Sequence, residues 1–183
     1  TLLAIESFAD DALLIQHACE ALGALSIENP QNRESIYRQG GIRAVARAMK
    51  DHAMHEGVQV GALSLFQYMT QEAQYARHLG SEGIDRVLAA MRNFETTIIH
   101  EQGCLMLCNM AIQDDYKDTI RSMGGIRMIV SAMRLLEDSS FVQKSGCRAL
   151  DSLSVNDPSK VTIAASGGIS AILSAMRNHD SMA

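Results

Sequence analysis

The chain has 183 residues, 47% apolar and 4% aromatic, with 11 Met, 2 Pro and no Trp; that mixture suits one all-helical domain with an aliphatic core. A net charge of −5 lacks the basic excess of a general nucleic-acid binder. Its 4 Cys include no C-x-x-C pair, so neither a disulfide framework nor a zinc motif is written, and no apolar run approaches the roughly 20 residues that cross a membrane.

We therefore expect no nucleic-acid partner, no direct membrane insertion, no metal and no cofactor. A reducing compartment follows from the Cys usage, the cytoplasm first, with the nucleus open as well. The opening "TLLAIESFADD" lacks the charged start of a signal peptide, and it begins with Thr rather than Met, so the chain reads as a piece of something longer.

In chain order, the first segment with pattern is "ACEALGAL" at 18, followed at 40 by "GGIRAVARAM". Both phrases return. The first becomes "GALSLFQY" at 61, "GCLMLCNM" at 103 and "GCRALDSL" at 146; the second becomes "EGIDRVLAAM" at 82, "GGIRMIVSAM" at 124 and "GGISAILSAM" at 167. Gly41, Gly83, Gly125 and Gly168 mark steps of 42, 42 and 43, and the closing Met49, Met91, Met133 and Met176 keep the same steps. Two independent markers with one period signify an internal repeat.

Within the Gly-Ile phrase the apolar residues stand at i, i+3, i+4 and i+7, as in Ile42, Val45, Ala46 and Met49. That spacing predicts one helix face, repeated four times and buried, with the four Met in the core. The Cys-containing phrase predicts another helix. Between them lie stretches such as "QDDYKDTIRSMG", where leading acids and a closing Gly predict a short helix stopped by a left-handed turn. No unit of this kind buries its own apolar faces, so stacked units forming a right-handed α-solenoid are expected.

This arrangement resembles armadillo repeats, on the 42-residue period, the short helix ending in Gly-Gly-Ile, the "GGIRMIVSAM" second helix and the "VQKSGCRALDSL" third helix. The resemblance covers essentially the whole chain and implies an all-α armadillo-type solenoid of three-helix repeats. HEAT repeats are the alternative; they usually lack the separate short helix and its Gly-Gly stop. The expected boundaries within a single repeat domain, 1–183, are a partial repeat 1–27, repeats 28–70, 71–112 and 113–155, and a partial repeat 156–183. The incomplete terminal units lead us to expect a fragment of a longer array, or ends that another subunit covers, including self-association through uncapped ends.

No catalytic constellation emerges. The Gly pairs match no phosphate-loop pattern. Cys19, Cys104 and Cys147 share one repeat slot with Ala62, which marks a small buried site, and Cys108 lies one helical turn from Cys104. His52 and His55 have a ligand-like spacing but no third group beside them.

The resemblance places partner binding, of another protein or a peptide, on a concave groove lined by the third helices. Its expected rows are Gln16, Glu20 and Ala24; Gln59, Leu63 and Gln67; Glu101, Leu105 and Asn109; and Lys144, Arg148 and Ser152. Each row has the spacing of one helix face. Nuclear-import receptors of the family carry Trp and Asn in such rows. This chain has no Trp and keeps only Asn109, which disfavours that role. A second surface is a cation after each marker Met: Lys50, Arg92, Arg134 and Arg177. It reads either as a basic ladder for an acidic partner or as the offset of four helix dipoles. The expectation is thus a non-catalytic interaction scaffold, with the repeat region of a larger multidomain enzyme such as a kinase as the alternative.

Overall fold

The structure, a computed structural model, describes residues 10–179. These form eleven helices: α1 (Ala12–Ser26), α2 (Pro30–Arg38), α3 (Gly41–Asp51), α4 (Glu56–Met69), α5 (Ala73–Asn93), α6 (Thr97–Ala111), α7 (Asp114–Ser122), α8 (Gly125–Leu135), α9 (Ser140–Leu153), α10 (Asp157–Ala165) and α11 (Gly168–Asn178). The all-helical expectation holds for them. Residues 1–9 of the partial repeat 1–27, and residues 180–183 of the partial repeat 156–183, lie outside the described residues. The packing divides the chain between Phe94 and Glu95 into two compact units.

The short helices begin and end where their residues dictate. In α2 the Asn29 side chain accepts the Asn32 N–H and Pro30 occupies the first turn, and in α10 Asn156 accepts the Ser159 N–H ahead of Pro158. Each such cap satisfies a donor that the helix cannot satisfy itself. The exits are Gly40, Gly124 and Gly167, at φ 81°, 84° and 80°, the left-handed conformation that a Cβ penalises. "EGIDRVLAAM" has Glu82 where the other copies have this Gly. There the turn moves upstream to Gly80, at φ 57° and ψ −153°, a break inside the otherwise continuous α5.

In the first unit α1 lies along α4, and α3 packs on α4 and α5. Ile42, Val45, Ala46 and Met49 of α3 are all buried, as are Ile84, Val87, Leu88 and Met91 of α5. Each large aliphatic side chain so removed from water contributes about 1.5–3 kcal/mol. A polar strut joins α2 to the start of α5. Buried Arg33 donates from Nε to Glu72 Oε1 at 2.7 Å and from Nη1 to the Ser26 carbonyl at 2.8 Å. The Tyr75 hydroxyl donates to Glu34 Oε2 at 2.9 Å, and its ring lies 5.2 Å from that of Tyr37.

In the second unit α9 lies along α6, α8 packs on α9, and α11 packs on α8, α9 and α10. Ile126, Ile129, Val130 and Met133 of α8 are buried as the periodicity predicts. The fourth copy departs from it. In α11 only Gly168, Ala171 and Ala175 are buried, while Ile169, Leu173 and Met176 are exposed, Met176 by 63%. The expectation that all four marker Met are core is therefore corrected for Met176. Among the described residues no third-type helix follows α11 to cover that face.

Candidate interaction surface

Helices α1, α4, α6 and α9 carry the expected groove rows, and their starts fix the register between copies. Asp11, His55, Thr96 and Ser139 are the capping residues. Counted from these caps, the buried residues coincide: Val58, Gln59, Ala62, Leu65, Phe66 and Met69 of α4 match Val142, Gln143, Gly146, Ala149, Leu150 and Leu153 of α9. His52 ends α3 and His55 caps α4, its Nδ1 accepting the Val58 N–H at 3.4 Å.

This register corrects one row. Gln59 and Leu63 are 2% and 0% exposed, so neither offers itself to a partner, and Gln67 is half-buried. Gln59 is structural instead, since its Nε2 donates to the carbonyls of Met49 at 3.0 Å and His52 at 2.9 Å. Gln143 does the same for Met133 at 2.8 Å and Leu136 at 2.9 Å. The amide thereby satisfies carbonyls at the end of the preceding helix, which have no intrahelical partner. The row equivalent to the others is Val60, Ser64 and Tyr68, each partly exposed.

The slip of one residue traces to Gly61, which resembles Gly103 and Gly146 in sequence but meets different neighbours. A Cβ on Gly146 would strike the Met133 side chain of α8, whereas one on Gly61 would lie 2.9 Å from the Glu20 nitrogen and 3.0 Å from Cys19 Cβ of α1. Gly61 thus serves a close helix approach of its own. The Cys slot shifts with it: Cys19, Cys104 and Cys147 are matched by Leu63, not by Ala62. Burial pushes the Cys19 and Cys104 thiols up to about 12 and raises that of Cys147, which removes nucleophilic thiolate at neutral pH.

The other rows stand at the surface. On α1, Glu20 is exposed and accepts the Gln16 amide at 2.8 Å and faces His17 at 3.1 Å; the Gln16 bond, then that of His17, lowers its carboxyl pKa. Ala24 is exposed one turn on. In the second unit Glu101, Leu105 and Asn109 of α6 are half-buried, Lys144 and Arg148 of α9 are exposed, and Ser152 is half-buried. Cys108 ties these two rows together, its Sγ lying 3.3 Å from Ser152 Oγ and 3.6 Å from the Arg148 carbonyl. Burial raises the Glu101 carboxyl pKa. Lys144 and Arg148 form no ion pair with another described residue. The result is an apolar Leu105 flanked by an acid, an amide and two cations on adjacent helices.

Lys50, Arg92, Arg134 and Arg177 each stand in the last turn of their helix, where a cation offsets the dipole by about 0.3–1 kcal/mol. Arg134 does more, reaching from Nη2 to the carbonyls of Ser166 and Gly167, both at 3.3 Å. Arg177 instead donates to Ser174 Oγ at 2.9 Å. Among the described residues no single helix is long and apolar enough to cross a membrane.

No family model matches the chain, and no solved structure matches it. Among curated proteins, Protein aardvark of Dictyostelium discoideum is 38% identical over 66 residues, 32% of this chain and 9% of that protein. Outer dynein arm-docking complex subunit 2 of Bos taurus is 26% identical over 116 residues, 63% of this chain and 11% of that protein. The chain is similar to a small part of each, spanning about a tenth of the length of these curated relatives.

Proposed function

We propose that the chain is a non-catalytic interaction module of armadillo type, a right-handed α-solenoid whose third helices present a protein- or peptide-binding face. The observation that carries this reading is the pair of adjacent rows on α6 and α9. Their buried residues follow one pattern, while Glu101, Leu105, Asn109, Lys144, Arg148 and Ser152 reach the surface with chemistry that differs from copy to copy. Repeat proteins bind through such variable positions on a repeated frame. The similarity to a docking-complex subunit supports assembly with other proteins, and a cytoplasmic location agrees with four unpaired thiols.

The test is partner recovery with Leu105→Glu and Arg148→Glu in the full chain, with helicity and melting temperature checked for each variant. Loss of a partner by both folded variants is expected. Retention of every partner by both excludes this face.

A second reading, contact between copies, rests on α11. The faces equivalent to Ile169, Leu173 and Met176 are covered in α3 by α4 and in α8 by α9, so the seat on α11 is shaped for a third-type helix. Helix α1 is of that type and keeps Leu13 and Leu25 exposed. A head-to-tail contact of this kind is heterologous and builds rings or open chains of copies. Light scattering should then show a mass that rises with concentration for the wild type and stays monomeric for Leu173→Glu; a constant monomer mass for both removes the reading.

A further inference from the structure

A second surface lies away from the third-helix rows, between α8 and α10. An open cleft of ≈ 580 Å³ runs there, with Arg127 and Arg134 at its two ends on α8, Val130 and Ser131 between them, and Val161 and Thr162 of α10 opposite. No acidic residue lines it. Arg127 is exposed and makes no ion pair among the described residues. Val161 is 68% exposed, although it sits beside two guanidinium groups.

Two features distinguish this cleft from a solvated charged face. The first is that Arg134 is held. Its Nη2 is anchored on the carbonyls of Ser166 and Gly167, and a Cβ on Gly167 would collide with that nitrogen. Nε and Nη1 stay available, so the cation is pre-positioned and loses little freedom on binding. The second is spacing. Arg127 and Arg134 are seven residues apart on one helix face, a separation of about 10.5 Å. Carboxylates three residues apart on an extended polyproline II segment share one side and are separated by about 9 Å, with intervening side chains free to meet Val130 and Val161.

We propose that the cleft between α8 and α10 docks an extended acidic peptide segment of a partner, pairing its two carboxylates with Arg127 and Arg134 and seating an apolar residue over Val161. Charge complementarity selects this occupant, because the lining carries two guanidinium groups and no carboxylate. A single-stranded nucleic acid is held by a longer basic groove and stacking aromatics, and the cleft lining has neither. This surface shares no residue with the α6 and α9 rows, so each can fail without the other.

The experiment is fluorescence anisotropy of the full chain with a labelled nonapeptide that carries two glutamates three positions apart around a leucine, beside the same peptide with glutamines. Saturable binding of the acidic peptide is expected, weakened by salt and by the glutamine replacement. Arg127→Glu and Arg134→Glu should each lower affinity about tenfold, Arg127→Gln should lower it less, and Arg43→Glu, on an exposed position of α3 in the first unit, should leave it unchanged. Absence of saturable binding at millimolar peptide overturns the proposal. So does full affinity in both α8 variants, or loss in Arg43→Glu alone. Capture of the wild type by phosphatidylserine vesicles without peptide binding, abolished by the same α8 variants, assigns the cleft to a lipid surface and overturns it too.

Discussion

Helices α3 and α11 leave the same kind of left-handed glycine and run for the same length through closely similar residues, GIRAVARAMKD and GISAILSAMRN. Met49 is nevertheless 2% exposed and Met176 63%. The difference lies in what comes after: α4 returns across the face of α3, and no described helix returns across α11. Periodicity sets which side of a helix is apolar, whereas burial is set by the neighbour that side meets.

The sharpest way to break this comparison is to cut both methionines. Met49→Ala should destabilise the chain by about 2–5 kcal/mol, through lost burial and the cavity left behind. Met176→Ala should change stability by less than about 0.5 kcal/mol. Urea unfolding of the two variants reads both values, and similar losses at the two sites would show that α11 is covered after all.

The next effect concerns the amide that closes the α3 seat. Gln59→Leu keeps the bulk but removes the side-chain donor to the Met49 carbonyl and leaves that of His52 with only the His55 N–H, a cost of about 1–3 kcal/mol. Gln143→Leu should behave alike at Met133 and Leu136, and the same unfolding assay measures it. Smaller again is the glycine exit. Gly40→Ala should cost about 1 kcal/mol in thermal unfolding, the penalty for a Cβ in the left-handed region. Gly167→Ala should cost more, because its Cβ must also displace Arg134. Equal costs would mean that Arg134 is not seated there.

The smallest effect asks whether burial also acts on a charge. Burial raises the Glu101 carboxyl pKa, so the folded chain holds that proton more tightly than the unfolded chain does. The resulting stabilisation is present below the unfolded carboxyl value and lost as pH rises through the folded one. Glu101→Gln should therefore stabilise the chain at about pH 7 and make little difference at about pH 4. A gain of equal size at both pH values would assign the effect to packing instead.

Much of this was legible in the residues. The apolar spacing marks α3 and α8, and the Gly-Gly pair before Ile42, Ile126 and Ile169 marks three of the four turns. The fourth turn was hidden because Glu82 occupies the usual position and Gly80 takes over the bend. In the candidate surface, the rows on α1, α6 and α9 fall where their spacing puts them, but the row on α4 slips by one residue. A letter G cannot say which neighbour requires it, and Gly61 answers to α1 where Gly146 answers to α8. The polar partner of the helix-end carbonyls offered a better ruler: Gln59 and Gln143 each lie ten residues beyond the closing Met. The cleft beside Arg127 gave no comparable sign, since it exists only once α8 and α10 are side by side.

The approach at Gly61 also bears on how such a chain changes over generations. The matching position in α9 is Ser145, buried and harmless there; moved to α4, its Cβ would press against the Glu20 backbone. Copies that look interchangeable are therefore bound to a fixed order. Shuffling, deleting or duplicating one of them is a lesion at its borders even when every segment survives intact.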